Sequence, residues 1–494
     1  MTTQLTIRSV HAGALRVLLM ASVTAGLFFT AGCSDFFNVT DKNQPVLDSL
    51  LANPTRQRVM GAAIGIFGAS RVGMQSYIWR LGSMGREGIN LSGNNQPDYQ
   101  EPFYGPLQGT GFGGSQWADR YAAILDINIY LQALGLSKDF SDPEKAASRG
   151  MANTMKALNF LYVILTRDSL GAPVDVYHPL GSPPAPFLAK DSVYGAIIGL
   201  LDSAQADLNR AIAGSSGFPF SPPPGFNGFD TPATFIQFNR ALAAKAQVMR
   251  ATAGGCRGTP DNCWRAALTA LGGSFLSTSP AEFQKGVYFD FSSAANDITN
   301  DLSEPLNGNT FFSLDSNVVD ADTQPTGAKD QRVLDKIAVS QDTQRLGGIP
   351  IVGTAKFTLY FTVGKPDPAH EIPIVRDEEL VLLDAEAQWF ATTGSKTTAL
   401  SDLNAVRGNA GKLAPTTLTV LSPDTAFVTE LLYNRRYSLL WEQGTRWLDA
   451  RRYGRLATLP IYVFGGNVPK VMPIPDVDCS ALGLASNCTP TLTP

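Results

Sequence analysis

Histidine is scarce in this chain, with three in 494 residues. His11 falls in an N-terminal segment expected to be removed, leaving His178 and His370. Two imidazoles so far apart leave little for His-dependent acid–base work or for a zinc centre. No His-Glu-x-x-His, phosphate loop, nucleophile elbow or Cys–His dyad occurs. Long hydrophobic runs are lacking too. The apolar run Val17–Thr30 has about fourteen residues, and a helix needs roughly 20 to cross a hydrocarbon core. There is no Lys/Arg cluster, and the formal net charge is −4, so nothing draws the chain to nucleic acid. Together these absences argue against an enzyme, a nucleic-acid binder and a membrane-spanning protein.

What is present begins at the N-terminus. Residues 1–32 hold Arg8 and Arg16 and no Asp or Glu. A basic start, a short apolar centre and small residues at the end describe a secretory signal. Ala31 and Gly32 stand directly before Cys33, which resembles the bacterial lipobox, with Thr30 where an aliphatic residue is usual. Acylation of Cys33 would anchor the protein to a membrane without spanning it. The mature chain would be residues 33–494. Losing two arginines and no acid takes its charge from −4 to −6. Residues 33–53 read as a lipidated tether that reaches at most about 70 Å when extended.

Four cysteines remain, in two close pairs: Cys256 with Cys263 and Cys479 with Cys488. An even number in an exported chain predicts disulfides. Each would close a short loop and contribute roughly 2–3 kcal/mol.

Apolar spacings of three and four predict helices near 54–70, 116–136, 143–169, 190–213, 232–253, 262–277, 377–393, 396–408 and 424–453. Trp117, Tyr121, Ile124, Asn128 and Leu131 form one such series, and Leu380, Leu383, Ala387 and Phe390 another. Helix–short turn–helix pairs with Ala at close-packing positions predict a mainly α, tetratricopeptide-like scaffold. It forms one domain over 54–494. Long loops rich in Gly, Pro, Asn and Ser lie at 82–115, 171–189, 214–231, 278–330 and 341–373. The main insertions are near 77–116 and 278–373, and a few short strands are expected, as at "AKFTLYFTV". Loops this long often carry function.

The charges late in the chain predict a structural ladder. Glu442 and Arg446 are four apart, and Arg446 and Asp449 three apart; on one helix these would face each other, with Arg452 beyond. The paired carboxylates Glu378/Glu379 and Asp384/Glu386 suit helix-end placement better than glycosidase chemistry. The Gly-rich "GTGFGG" (109–114) has no preceding strand and no Lys, and reads as a flexible loop.

Several blocks resemble the RagB/SusD nutrient-binding outer-membrane lipoproteins. Pro373, Arg376, Ala385-Glu386-Ala387, Asn404 and Arg407 follow that pattern. So do Arg435, Arg436, Leu440, Glu442, Gly444, Arg446, Trp447, Asp449 and Arg452, and the late "VMPIPDVD". The resemblance implies an α-α superhelix, no catalysis and no cofactor, although Asp- and Asn-rich loops leave room for calcium. It also implies an exterior-facing outer-membrane location, an oligosaccharide or peptide ligand, and a TonB-dependent β-barrel transporter as partner. The ligand surface would be built from loops. Trp79, Asn94, Asn95, Asp98, Tyr99 and Tyr104 in the first insertion, and Phe312 in the second, combine rings for sugar faces with polar groups for hydroxyls. Two other readings stand beside it: a lipid-anchored repeat scaffold for outer-membrane assembly, and a surface glycoside hydrolase.

Overall fold

The helix over Asp377–Phe390 shows how the interior is made. Three acids occupy its first turn, where the helix dipole favours them. Every residue from Asp377 to Ala387 is buried, so the expected stripe is one side of a helix enclosed on all sides.

The computed structural model describes residues 47–179, 181–252, 254–256 and 258–493. It divides into two units, Met1–Pro54 and Thr55–Pro494. In the first, the described part holds a short helix, Leu47–Ala52. The signal, Cys33 and most of the tether lie outside the described residues.

In the second unit, eleven helices carry the scaffold: α1 (Arg56–Arg71), α2 (Met74–Met84), α3 (Ala118–Leu136), α4 (Asp142–Arg167), α5 (Lys190–Ala213), α6 (Pro232–Thr252), α7 (Pro260–Gly272), α8 (Asp377–Phe390), α9 (Lys396–Asn409), α10 (Asp424–Ser438) and α11 (Thr445–Arg452). From α3 to α9 each helix packs on the next; α10 lies against α8 and α9, and α11 joins α10 back to α2. This is a tetratricopeptide-like stack of helix pairs. Local chemistry sets it up. Ser141 and Glu144 form a capping box at the start of α4. Small residues let neighbours approach: a Cβ on Gly150 of α4 would sit 2.5 Å from Leu208 of α5.

The insertions supply short strands: β1 (Gly88–Asn90), β2 (Gly286–Phe289), β3 (Phe311–Ser313), β4 (Ile337–Arg345), β5 (Val352–Phe357) and β6 (Ile372–Arg376). They pair antiparallel as β1–β3, β2–β6 and β4–β5. Disulfides join Cys256 to Cys263 and Cys479 to Cys488. Among the described residues no helix is long and apolar enough to cross a membrane.

Two expectations are corrected. The segment from residue 77 to residue 104 is not plain loop, because α2 and the helix Gln96–Tyr104 occupy much of it. The helix expected over 424–453 is broken between Ser438 and Thr445. There Trp441 and Gly444 take left-handed φ values of 59° and 63°. The break turns the Trp441 indole inward, where it is wholly buried and stacks on Phe357 with centroids 4.2 Å apart. Gly82 and Gly88 form the slot for it: a Cβ on either would meet the indole at 2.5 Å. A bulky residue with positive φ costs on the order of 1–3 kcal/mol, which the burial of the largest side chain offsets.

Candidate functional site

The two insertions meet. Strand β1 pairs with β3, with Ile89 opposite Phe312, so segments more than 200 residues apart become one loop face. Beneath it lies an apolar cluster of Ile89, Leu91, Tyr99, Phe103, Phe312, Leu314, Ile349, Ile351 and Val463.

That cluster takes in Tyr99 and Phe312 and has Tyr104 packed against it, and Trp79 is buried outside it. Trp79 is 6% exposed and packs between Phe112 and Phe311, with the Arg80 guanidinium over its ring at 4.7 Å. Tyr99 is buried, and Phe312 wholly so beneath the Lys356 ammonium. These rings hold the platform up and present no face to a ligand, because loops this long need a core of their own to order them. Of the remaining expected residues, Asn94 and Asn95 are exposed. Asp98 is half-buried and pairs with Arg80 at 3.5 Å. Tyr104 is half-buried and its hydroxyl donates to the Gly348 carbonyl, 3.2 Å away.

Sequence reasoning missed the third contributor to this face, the segment 460–467. Tyr462 donates to Asp315 Oδ1 at 2.7 Å. Phe464 stands fully in solvent and Ile461 is exposed near it. The Gly465–Gly466 pair marks the turn, but nothing in the sequence reveals that this turn lies beside the first insertion. The agent that brings it there is Arg86, buried with no carboxylate partner among the described residues. Its guanidinium donates to the carbonyls of Ser83 (2.9 Å), Pro102 (2.9 Å), Pro460 (3.2 Å) and Asn467 (2.7 Å), and it lies over Phe103. Burial lowers its pKa to about 10.

A separate cleft of about 640 Å³ opens between the second insertion and the C-terminal helices. Tyr288, Phe361 and His370 stand on its walls and Arg376, Glu378 and Glu442 on its floor.

The late charges are paired, but mostly not with each other. Glu442 meets Arg376 at 3.0 Å and Lys336 at 2.9 Å, not Arg446. Arg446 donates to the Arg86 carbonyl at 2.7 Å and sits 3.9 Å from Asp320, not against Asp449. For Glu442 the physical reason is the break at 439–444, which takes it off the helix that carries Arg446; for Asp449, on the same helix as Arg446, it is that Arg435 and Arg452 occupy its carboxylate. Asp449 bonds Arg435 at 2.7 Å and Arg452 at 2.8 Å, and Arg452 also grips Glu386. Burial pushes the Asp449 carboxyl up, but Arg435 and Arg452 outweigh it and hold it below its ordinary value.

The paired carboxylates of α8 are engaged inside the protein. Glu379 pairs with Lys245 at 3.0 Å and Glu386 with Arg452, while Asp384 faces Asp402. In "GTGFGG", a Cβ on Gly113 or Gly114 would collide with the carbonyl of Gln108 or Gly109, and Arg167 donates to Ser115 O at 2.8 Å. The stretch is a packed turn.

The architecture is that of a helical-repeat body with a loop-built face. No family model matches the sequence and no curated protein matches it. Solved structures do. A SusD-superfamily protein from Parabacteroides distasonis superposes with TM-score 0.63 at 16% identity, over 86% of this chain and 98% of that one. One from Bacteroides vulgatus gives 0.63 at 13%, over 88% and 98%. NanU of B. fragilis gives 0.60 at 14%, over 92% and 100%. The chain has the SusD-superfamily fold.

Proposed function

We propose that this chain is a RagB/SusD-type nutrient-capture lipoprotein. Acylated Cys33 anchors it to the outer face of an outer membrane. The loop face built by residues 88–108, 311–315 and 460–467 binds an oligosaccharide or peptide without transforming it. The protein then passes the ligand to a TonB-dependent β-barrel transporter, over which it closes as a lid.

The observation that carries this reading is the extent of the likeness: nearly the whole of each compared SusD-superfamily structure is matched. The cleft and the loop face favour capture of a small ligand over a plain assembly scaffold. Three of the four paired carboxylates of α8, Glu378, Glu379 and Glu386, are held in ion pairs, which disfavours hydrolysis.

The test is a glycan and peptide binding panel on the purified protein. Binding without turnover, weakened by Phe464→Ala, supports the reading, whereas turnover of a bound glycan replaces it with the hydrolase. Labelling with radioactive palmitate checks the anchor; an unlabelled polypeptide rules out lipidation.

A further inference from the structure

The cleft shares no residue with the loop face. We propose that it is a second binding site, for a neutral sugar residue, formed between the second insertion and the C-terminal helices.

Its volume of about 640 Å³ lies in the range of small-molecule sites, roughly 300–1,000 Å³. Three half-buried rings, Tyr288, Phe361 and His370, come from three different segments to its walls. Ring faces suit the C–H faces of a pyranose. The amides of Gln284, Gln331 and Asn409 also line the cleft; Gln331 donates to Asp335 and Asn409 to the Ala405 carbonyl, and the exposed Gln284 amide can donate to and accept from hydroxyls.

Neutrality follows from the floor. Arg376 is engaged by Glu442 and Glu378, Lys336 by Glu442, and Arg332 by Asp330 at 2.6 Å. An anionic ligand would have to take a guanidinium from a buried carboxylate, stranding that charge. A cationic ligand would meet three cations already in place. Of the other charged residues lining the cleft, Asp335, Glu371 and Lys412 are exposed to solvent, whereas Glu378 is 3% exposed and its Oε1 has no hydrogen-bond partner among the described residues. The argument does not depend on what the loop face binds.

The experiment uses saturation-transfer NMR and titration calorimetry on the purified protein. The probes are maltose, cellobiose and N-acetylglucosamine, with glucuronate and glucosamine as charged comparators. Phe361→Ala and Gln284→Ala are the test variants, since both positions reach solvent and tolerate truncation; Phe464→Ala reports on the loop face. The expected result is binding of a neutral probe, weakened about tenfold or more by both cleft variants and unchanged in Phe464→Ala. The proposal is overturned if no neutral probe binds, if the cleft variants bind as the parent does, or if a charged comparator binds about tenfold tighter. Loss of binding in Phe464→Ala alone overturns it while sustaining the loop-face reading.

Discussion

Arg376 holds the carboxylate of Glu442 with two nitrogens, Nε and Nη2, each 3.0 Å from an oxygen. One residue ends strand β6 and the other lies in the turn before α11. The two belong to separate sequence blocks, yet they form one fork-to-fork contact, with Lys336 and Glu378 beside it. This contact joins the entrance of the central helix α8 to the break that seats Trp441.

Arg376→Ala is therefore expected to cost about 3–5 kcal/mol, since it leaves two buried carboxylates short of a partner. Urea denaturation reads this directly. Arg376→Lys should recover only part of the loss, because an ammonium cannot bond both oxygens in plane. Burial raises the Glu442 carboxyl, but Arg376 and Lys336 outweigh it and hold its pKa below the ordinary value. A depressed folded-state pKa means the stability is present above the unfolded value, about 4.3, and is lost as pH falls through the folded one. Acid unfolding of the parent should be steeper than that of Glu442→Gln.

Asp449→Ala should destabilise more than Arg446→Ala. Among the described residues Asp449 is the one carboxylate bonded to Arg435, which is wholly buried and whose two terminal nitrogens lack partners there. Removing it strands that guanidinium, at about 3–5 kcal/mol. Arg446 sits at the edge of the interior, its pKa lowered to about 9 by burial and by Arg436. Its removal relieves repulsion as well as losing a bond. Equal melting losses in the two variants would contradict this ranking.

Much of the scaffold was legible because helix pairs bury apolar residues at spacings that sequence displays. The segment 190–213 is α5, and 232–253 is α6 with one residue fewer. Helix α2 was not legible. Met74, Tyr77, Ile78, Trp79 and Leu81 are all buried, and a helix enclosed on several sides has no clean stripe. Its aromatics therefore read as ligand contacts. The break at 439–444 was hidden for another reason: Gly444 suggested a kink, but the left-handed Trp441 depends on a slot made by Gly82 and Gly88, some 350 residues away. The loop face was half legible. Both insertions were visible by composition, but their pairing through β1 and β3 and the arrival of Phe464 are tertiary facts.

Stability should also fall on the alkaline side. Asp402 of α9 is buried against Asp384 of α8, and burial together with that neighbouring acid raises its pKa to about 8. A raised carboxyl pKa means the folded state binds more protons than the unfolded state between about pH 4 and about pH 8, so stability declines across that window. Asp402→Asn keeps the shape and removes the titration. It should raise the melting temperature at pH 8 and change it little at pH 4.5. An equal effect at both values would show that the two acids do not share a proton.

Phe464 supplies the sharpest separation of folding from function. Its ring is fully exposed at the tip of a turn whose flanks, Val463 and Asn467, are fixed to the Tyr99–Phe103 cluster and to Arg86. Truncating it removes no buried contact, so Phe464→Ala should leave the urea midpoint within about 0.5 kcal/mol of the parent. Exposed aromatics are enriched where a surface binds, because ring area desolvates at little conformational cost. The same variant should therefore weaken ligand capture at the loop face by about tenfold or more, with Asn94→Ala adding a smaller loss. Unchanged capture together with unchanged stability would move the binding surface away from residues 460–467.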